Sequence, residues 1–358
     1  MSQKYIREEL VSLHAYVPGE QPKPNEKIIK LNTNENPYPP SPKIREKVLE
    51  IVDSNFLRKY PNPDSRPLQE FFAAKHGLHP DQVLVTNGSD EALRILFYGT
   101  LGKSDVLAMP DPTYSLYPVL AEMVMTDVKI QKIPLLENLH LDLPTLQKTN
   151  CKLLAFANPN APTGIAEKKL ELLDLVESAN CLVLSDEAYV AFNDPSTSLL
   201  EYVNQFPNLV VTQTLSKSHG LAGLRVGFLF GSRELVSSLR KLKDSYNVDM
   251  ISQAIALAAL QDESYFQETR TNVMIDRNKL TRALRLMGFY LPDSSANFVF
   301  ARPPKGFTAK QVFEHLQNNS IIVRYFSTGI AKDFVRITVG TEAENSQVIE
   351  TISKLVNP

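Results

Sequence analysis

A lysine in a glycine-containing stretch is the strongest candidate for covalent chemistry in this sequence. Lys217 follows the apolar run Leu209–Val211, which predicts a buried strand, and it lies between Ser216 and Ser218, with Arg225 eight residues later. A lysine amine forms a Schiff base with an aldehyde, while hydroxyls and a guanidinium can bind the phosphate of the same cofactor. Taken alone, the stretch is equally consistent with a solvated loop lysine in a chain that the glycines merely turn.

A carboxylate follows another predicted strand, where it can serve the same cofactor. Asp186 and Tyr189 come directly after the apolar run Cys181–Ser185. A buried carboxylate keeps a ring nitrogen protonated, which lets the ring accept electrons. Tyr114 follows the predicted strand Val106–Met109, where its ring can stack on a flat cofactor. Asp186 by itself is equally well explained as a helix cap.

A predicted helix start offers a place for the phosphate. The strand Gln82–Thr86 leads into Asn87–Phe97, which has the pattern of a tight turn followed by an amphipathic helix. Gly88 permits a close approach, Ser89 or Asp90 can cap the helix, and the free N–H groups of its first turn can bind an anion. An ordinary N-cap without a ligand is the simpler alternative at this position.

The composition favours a globular protein with small-molecule partners. The chain has 358 residues, of which 43% are apolar and 22% charged, and its formal net charge is -2. It has no block of like charges, so we expect no nucleic-acid or anionic-membrane partner. The N-terminus lacks an apolar signal-peptide core, and no apolar run approaches the length of about 18 residues that spans a membrane. We therefore predict a cytoplasmic protein.

Several common catalytic and metal sites lack support in the sequence. Cys151 and Cys181 do not form a Cys-x-x-Cys pair, so they are interpreted as small core residues rather than metal ligands or a disulfide. The six histidines are not clustered, which argues against a zinc hydrolase. The sequence contains neither a Gly-x-Ser-x-Gly motif nor a phosphate-binding P-loop. We therefore predict no metal.

Alternating helix and strand patterns predict an α/β fold with a mainly parallel sheet, covered on both faces and binding ligands at the carboxyl ends of its strands. Residues 1–30 are predicted to form an N-terminal arm and residues 31–250 a large cofactor-binding domain. Residues 251–358 are predicted to form a smaller C-terminal α/β domain, to which part of the N-terminal segment also contributes. Besides those already named, strands are predicted at Asp127–Pro134, Cys151–Ala157, Asn297–Ala301, Ile321–Tyr325 and Phe334–Val339.

These motifs together resemble the fold type I aminotransferases that use pyridoxal phosphate, and within them the histidinol-phosphate aminotransferases. The resemblance extends over nearly the whole chain, and its motifs occur in the family's order. They are Leu31–Pro37, Lys59–Pro61, Asn87–Glu91, Pro112–Tyr114, Asn158–Gly164, Asp186–Tyr189, Thr214–Arg225, Tyr246–Val248, Ala296–Phe298 and Arg336–Gly340.

The resemblance implies a role for each candidate residue. Lys217 would form the Schiff base and later move a proton between substrate and cofactor. Asp186 would pair with the ring nitrogen, Tyr189 would hydrogen-bond the ring hydroxyl, and Tyr114 would stack on the ring. The other cofactor contacts, mainly at the phosphate, would be Ser89, Asp90, Thr214, Ser216 and Arg225.

The resemblance also implies a homodimer with shared active sites. Tyr60 resembles the tyrosine that reaches the cofactor phosphate of the neighbouring subunit. Arg336 resembles the arginine that binds the anionic group of the substrate, and Tyr16, Asn36 and Arg324 would lie beside it. Because a guanidinium fits both a phosphate and a carboxylate, one arginine could serve histidinol phosphate and 2-oxoglutarate in turn.

The chain departs from the family pattern at Ala161. The family usually has an asparagine immediately before Pro-Thr-Gly, where its amide hydrogen-bonds the cofactor's ring hydroxyl. Either Asn160 or Asn158 fills this role here, or Tyr189 contacts the hydroxyl alone. A second departure is Ser245, where many relatives have proline, and we attach no mechanism to it.

The implied reaction belongs to histidine biosynthesis. L-histidinol phosphate would give up its amino group and leave as imidazole-acetol phosphate, and 2-oxoglutarate would collect the group as glutamate. One alternative is an aminotransferase of the same subfamily that acts on aromatic or other amino acids. Another is a threonine-phosphate decarboxylase, which would release CO2. A dinucleotide-binding module at Gly220–Gly231 would leave the other motifs unexplained, and its glycine spacing does not match.

Overall fold

The structure is a computed structural model that describes residues 5–6, 8–11, 13, 15–17, 19–23, 27–124 and 127–356. It therefore describes only part of the N-terminal arm. The rest of the arm predicted at residues 1–30 lies outside these described residues. Within it, the structure has the short helix α1 (Glu8–Val11) and the two-residue strand β1 (Ile29–Lys30). Tyr16, the candidate site residue of the arm, is among the described residues.

A seven-stranded sheet forms the centre of the molecule, with the strand order β2-β8-β7-β6-β5-β3-β4. Strand β8 is antiparallel to both of its neighbours, and the other neighbouring pairs are parallel. The predicted mainly parallel α/β fold is therefore confirmed. The strands are β2 (Val83–Asn87), β3 (Val106–Asp111), β4 (Lys129–Pro134), β5 (Leu153–Ala157), β6 (Leu182–Asp186), β7 (Leu209–Thr214) and β8 (Val226–Phe230).

Sequence analysis did not predict strand β8. Its run Val226–Phe230 is buried at every position, as β5 is, but Gly227 interrupts the apolar residues, and glycine is unfavourable within a strand. A close backbone contact requires this glycine. A Cβ atom at Gly227 would lie 2.4 Å from the backbone nitrogen of Ser89, so only glycine lets β8 pass the start of the neighbouring helix.

Helices cover both faces of this sheet and create two apolar cores. Along β5, Leu154 and Phe156 enter one core while Leu153 and Ala155 enter the other, as the alternation of side chains along a strand requires. The helices that precede the small sheet are α2 (Ile44–Asp53), α3 (Arg66–His76), α4 (Gly88–Thr100), α5 (Leu116–Met123), α6 (Leu143–Lys148), α7 (Lys169–Ser178), α8 (Leu215–Ser218), α9 (Arg233–Arg240), α10 (Met250–Leu260) and α11 (Glu263–Leu286).

A smaller antiparallel sheet lies in the C-terminal part, with the strand order β11-β12-β9. Strand β1 pairs in parallel with β10, so that Ile29 lies opposite Ile321, and Leu31 packs into the core of this part. The elements are β9 (Phe298–Ala301), α12 (Ala309–Asn318), β10 (Ile321–Ile322), β11 (Arg324–Tyr325), β12 (Val335–Thr338) and α13 (Glu342–Val356).

The division into domains at residues 250 and 251 stays a prediction. Helix α10 packs with Ile255 and Ala259 into a core on the large sheet, which favours a boundary after this helix. The pairing of β1 with β10 is consistent with an N-terminal contribution to the smaller part. In the described part of the chain, no helix is long and apolar enough to cross a membrane.

Helix α7 offers a test of the core packing with one substitution at two positions. Leu172 is fully buried, whereas Leu170 on the same helix is 74% exposed. We expect Leu172→Ala to lower the free energy of unfolding by about 2–5 kcal/mol, because it removes buried methyl groups and leaves a cavity. Leu170→Ala is the control and should change it by less than about 0.5 kcal/mol. Urea denaturation of both variants measures the difference, and equal losses would contradict the described packing.

Candidate active site

A cavity at the carboxyl ends of the parallel strands collects most of the predicted site residues. It is lined from the large sheet and its helices on one side, and from β11 and β12 of the small sheet on the other. This location is where open α/β sheets bind ligands. The predicted residues that line it are Tyr16, Ser89, Asp90, Tyr114, Asp186, Tyr189, Thr214, Ser216, Lys217, Arg225, Arg324 and Arg336.

Lys217 is presented by the one-turn helix α8, which follows β7 directly. The side chain of Thr214 caps this helix by accepting a hydrogen bond from the Ser216 amide at 3.2 Å. The Lys217 Nζ atom donates to the carbonyl oxygen of Thr33 at 2.7 Å. Burial lowers the pKa of Lys217 to about 8, and the positive charge of Arg336 acts in the same direction. The amine is thus far easier to deprotonate than that of an exposed lysine.

One end of the cavity is suited to an anion. Helix α4 begins at Gly88, so its first free N–H groups and the Ser89 side chain lie at this end. The Arg225 guanidinium donates to Ser216 Oγ at 3.3 Å and to the Asp90 carboxylate at 2.9 Å. A Cβ atom at Gly88 would lie 2.5 Å from this guanidinium, so glycine keeps the space open.

The Asp90 side chain binds neighbouring side chains rather than an anionic ligand. Its carboxylate pairs with Arg225 and accepts a hydrogen bond from the Tyr114 hydroxyl at 3.0 Å. A carboxylate repels a phosphate, so only the backbone N–H of Asp90 is suited to the predicted phosphate contact. The ring of Tyr114 is thereby fixed at the cavity wall, where it also meets Tyr117 edge-on with the ring centroids 5.6 Å apart.

Asp186 is a buried carboxylate at the end of β6. It accepts hydrogen bonds from the hydroxyls of Tyr117 at 2.9 Å and Thr212 at 3.0 Å. Burial raises the pKa of Asp186 to about 6, although these hydrogen bonds favour its ionised form. The group therefore remains an anion at pH 7, and a cation bound beside it would lower its pKa further. This is the property required to hold a protonated ring nitrogen.

Two arginines line the side of the cavity formed by the small sheet. Arg324 and Arg336 are directly opposite each other on the antiparallel strands β11 and β12. Arg336 lies over the rings of Phe298 and Phe326, with its guanidinium carbon 5.2 and 5.7 Å from their centroids, and it donates to the Asn32 carbonyl at 2.9 Å. Its buried Nε atom has no hydrogen-bond partner among the described residues. The guanidinium is thus held in place with donor capacity left for a ligand.

Three predicted residues do not line the cavity. The amide of Asn36 donates to the Lys217 carbonyl at 3.0 Å and accepts from the Tyr38 amide, so it supports helix α8 rather than facing a substrate. The amide of Asn160 is occupied by Thr113 and by the backbone of Pro112, which leaves it unable to replace an asparagine at position 161. Tyr60 is 77% exposed outside the cavity.

The structure adds residues that sequence analysis did not select. Thr33 and Asn34 line the cavity from the loop that contains Asn36, where the abundance of amides was visible but not which of them faces inward. Phe326 lies next to both arginines, and no sequence pattern distinguished it from a core residue. Tyr117 and Thr212 contact Asp186 from neighbouring elements, which only the sheet order brings together.

Comparison with known proteins identifies the family. The model of the family described as aminotransferase class I and II matches residues 26–352. This chain belongs to that aminotransferase family. The histidinol-phosphate aminotransferase of Acinetobacter baumannii (strain SDF) is 40% identical over 352 residues, which cover 97% of this chain and 96% of that protein. The protein of the same name from Chromohalobacter salexigens is 41% identical over 344 residues, 95% of each chain.

Solved structures of aminotransferases share the fold of this one. The histidinol-phosphate aminotransferase of Clostridium acetobutylicum superposes with a TM-score of 0.85 at 20% identity, covering 92% of this chain and 99% of that one. The histidinol-phosphate aminotransferase of Sinorhizobium meliloti, solved in complex with pyridoxal-5'-phosphate, superposes with a TM-score of 0.84 at 20% identity. The superposition covers 92% of this chain and 91% of that one. These comparisons confirm the predicted fold class and the predicted enzyme class.

The residues of this aminotransferase fit pyridoxal phosphate, the cofactor of the family. Its phosphate matches the end of the cavity at Ser89, Ser216 and Arg225, and its ring nitrogen matches the buried carboxylate of Asp186. An amine with a lowered pKa, Lys217, lines the same cavity. The chain therefore supplies the donors, the acceptor and the nucleophile that this cofactor needs, and the predicted cofactor is confirmed at the level of the family.

The lowered pKa of Lys217 has a consequence for stability. The unfolded chain holds a proton on this amine up to about pH 10.4, whereas the folded one releases it near pH 8, so the cost of burying the charge is fully present below pH 8. We expect Lys217→Met to raise the Tm of the cofactor-free protein at pH 7, and this gain to shrink between about pH 8 and pH 10.4. Calorimetry over this range measures it.

The matched control for this experiment is Lys103→Met, which changes an exposed lysine in a turn. Its Tm difference from the original protein should stay constant over the same range of pH. If Lys217→Met raises the Tm by the same amount at every pH, loss of the buried charge is not the cause of the increase.

Proposed function

We propose that this aminotransferase transfers the amino group of L-histidinol phosphate to 2-oxoglutarate, producing imidazole-acetol phosphate and L-glutamate in histidine biosynthesis. The paired arginines Arg324 and Arg336 on the cavity wall carry the proposal, because they are suited to one phosphate or one carboxylate at a time. The relatives that are 40% and 41% identical over nearly their whole length carry the name of this activity.

Each substrate of the two half-reactions carries an anionic group at one end. Histidinol phosphate has a phosphate, and 2-oxoglutarate has a second carboxylate beyond the one next to its keto group. Arg336 keeps an unused buried Nε donor, and Arg324 lies opposite it across β11 and β12, with Tyr16 lining the same cavity. A planar guanidinium can give two parallel hydrogen bonds to either kind of group. This allows the two substrates to occupy the same position in turn.

The residues around the reacting atoms have separate roles. Pyridoxal phosphate, when bound, supplies an aldehyde for an amine and a ring that accepts electron density. Lys217 holds the cofactor until the substrate amine replaces it, and its Nζ atom then takes the proton from the substrate Cα. A pKa of about 8 leaves part of this amine neutral near pH 7, as a base requires. Asp186 keeps the ring nitrogen protonated, and Tyr114 packs against the ring.

We also propose a homodimer with shared active sites. Tyr60 and Tyr246 stack with their centroids 4.4 Å apart, although they are 77% and 46% exposed. A stacked aromatic pair that is exposed at a surface is suited to a protein interface. Tyr60 would then contact the cofactor phosphate in the neighbouring subunit. The cytoplasmic location remains a prediction from the sequence.

The absorbance spectrum of the purified protein tests the proposed reaction. After addition of pyridoxal phosphate, we expect a visible band, and L-histidinol phosphate without a 2-oxo acid should convert it to the shorter-wavelength band of the aminated cofactor. Addition of 2-oxoglutarate should restore the visible band. Lys217→Ala is the control and should give no Schiff-base band of this kind.

Other outcomes separate the remaining activities. Conversion by aromatic amino acids but not by histidinol phosphate would favour an amino-acid aminotransferase. Release of CO2 from threonine phosphate without an amino acceptor would favour a decarboxylase. Either result would contradict the proposed substrate but not the cofactor, whereas the absence of a band in the original protein would contradict the cofactor as well.

Substitution of Tyr60 tests the shared active site. Removal of its hydroxyl by Tyr60→Phe should weaken cofactor retention about tenfold to a hundredfold, since one hydrogen bond to a charged group is lost. Dialysis against buffer, followed by measurement of the remaining visible band, gives the retention. Tyr290→Phe removes the hydroxyl of another exposed tyrosine and should change nothing. Equal retention in both variants would remove Tyr60 from the site.

A further inference from the structure

Asn34 lies at the centre of a hydrogen-bond network beside the candidate catalytic groups. It is buried, with a left-handed backbone conformation (φ 56°) that asparagine adopts more readily than most residues. Its side-chain Nδ2 atom donates to the Tyr189 hydroxyl oxygen at 2.9 Å, and its Oδ1 atom accepts from the Thr338 hydroxyl at 3.1 Å. The preceding residue, Thr33, accepts the hydrogen bond of Lys217.

The orientation of the Asn34 amide follows from the hydrogen bonds of the Thr338 hydroxyl. The Thr338 hydroxyl oxygen already accepts the backbone N–H of Asn34 at 3.1 Å, and its own proton goes to Asn34 Oδ1. If the amide were reversed, this proton would have no acceptor among the described residues, although Thr338 is only 2% exposed. An unsatisfied buried donor is costly, so the nitrogen of the amide faces Tyr189.

This orientation determines what Tyr189 can do. Because its hydroxyl oxygen accepts a proton from Asn34, its own proton must go elsewhere, and no other side chain in the described ranges accepts it. The tyrosine otherwise packs in an apolar cluster with Ala161, Ala296 and Phe298, and it is one of the residues that line the cavity. The methyl group of Ala161 supplies no hydrogen-bond donor there. Tyr189 is therefore left with a hydroxyl proton that no described side chain accepts.

We propose that Asn34 is a positioning residue that holds Tyr189 with its hydroxyl proton directed into the cavity, toward an anionic oxygen of the ligand. The inference rests on the proposed function, in which this oxygen belongs to the ring of pyridoxal phosphate. The arrangement compensates for the lack of a donor at Ala161. It also makes the donor depend on the small sheet, because Thr338 lies in β12 and Asn297, just before β9, donates to the Asn34 carbonyl at 3.0 Å.

The pH titration of the visible band tests this role in the protein loaded with pyridoxal phosphate. The band changes when the proton shared between the ring oxygen and the Schiff-base nitrogen is lost. A donor to the ring oxygen makes that loss easier, so its removal should raise the midpoint. We expect Tyr189→Phe to raise it by about one pH unit, and Asn34→Asp to raise it by a similar amount, because the new carboxylate captures the Tyr189 proton.

A double variant distinguishes positioning from a separate effect. If Asn34 acts through Tyr189, Asn34→Asp should shift the midpoint in the original protein but not in the Tyr189→Phe background. Thr338→Val provides a second test of the same role, because it leaves Asn34 in place but removes the hydroxyl that orients the Asn34 amide. This variant should also raise the midpoint. Asn345→Ala is the matched control, since it removes another buried asparagine, whose side chain hydrogen-bonds the backbone of Gly340 rather than Asn34, Tyr189 or Thr338.

The outcomes are separable from those of the proposed function. An unchanged midpoint in both Asn34→Asp and Thr338→Val, or the same shift with and without Tyr189, would overturn the role of Asn34. Absence of any visible band in the original protein would instead overturn the proposed cofactor chemistry and this inference with it. The Tm of the cofactor-free variants gives a further readout. A loss of Tm for Asn34→Asp no larger than that for Asn345→Ala, together with a midpoint shift in Asn34→Asp but none in Asn345→Ala, supports positioning over general destabilisation.

Discussion

The hydrogen bond between the Lys217 amine and the Thr33 carbonyl is the contact on which the candidate site depends. Lys217 belongs to a one-turn helix at the end of a strand of the large sheet, whereas Thr33 follows a segment that pairs with β10 in the C-terminal part. The Thr338 amide donates to the Leu31 carbonyl, which fixes this segment against β12. The position of the lysine is therefore set jointly by both sheets.

The charges around the lysine explain its chemical state. Burial and the nearby guanidinium of Arg336 oppose a positive charge on the amine, while Glu35 and Asp90 only partly compensate. Asp186 shows the opposite balance, because burial opposes its negative charge but two hydroxyls stabilise it. The cavity thus holds a base that can lose its proton near neutral pH and an acid that stays ionised. This combination suits amine chemistry on a protonated ring.

Local backbone features make these positions possible. Gly227 lets β8 pass against the start of α4, and Gly88 leaves room for the Arg225 guanidinium at the same place. Asn34 and Arg225 both adopt left-handed conformations at the cavity, where each makes side-chain hydrogen bonds that hold it. Side chains from distant parts of the sequence consequently converge on one end of the sheet.

The sequence by itself determined the fold class, the family and most of the candidate residues that line the cavity. Lys217, Asp186 and Arg225 carry unusual chemistry at strand ends, so their types and spacing were informative without any contact information. The buried strand β8 was missed because Gly227 interrupts its apolar run, whereas the equally buried β5 is an unbroken run of apolar residues.

Only the tertiary structure decided which amide of the loop at residues 31–37 faces the cavity, since Asn34 and Asn36 have the same chemistry and differ only in what folds around them. It likewise brought Thr338 and Tyr189 to opposite ends of the Asn34 amide. Hydrogen bonds between residues so far apart in sequence depend on the packing of two sheets, which no local pattern encodes.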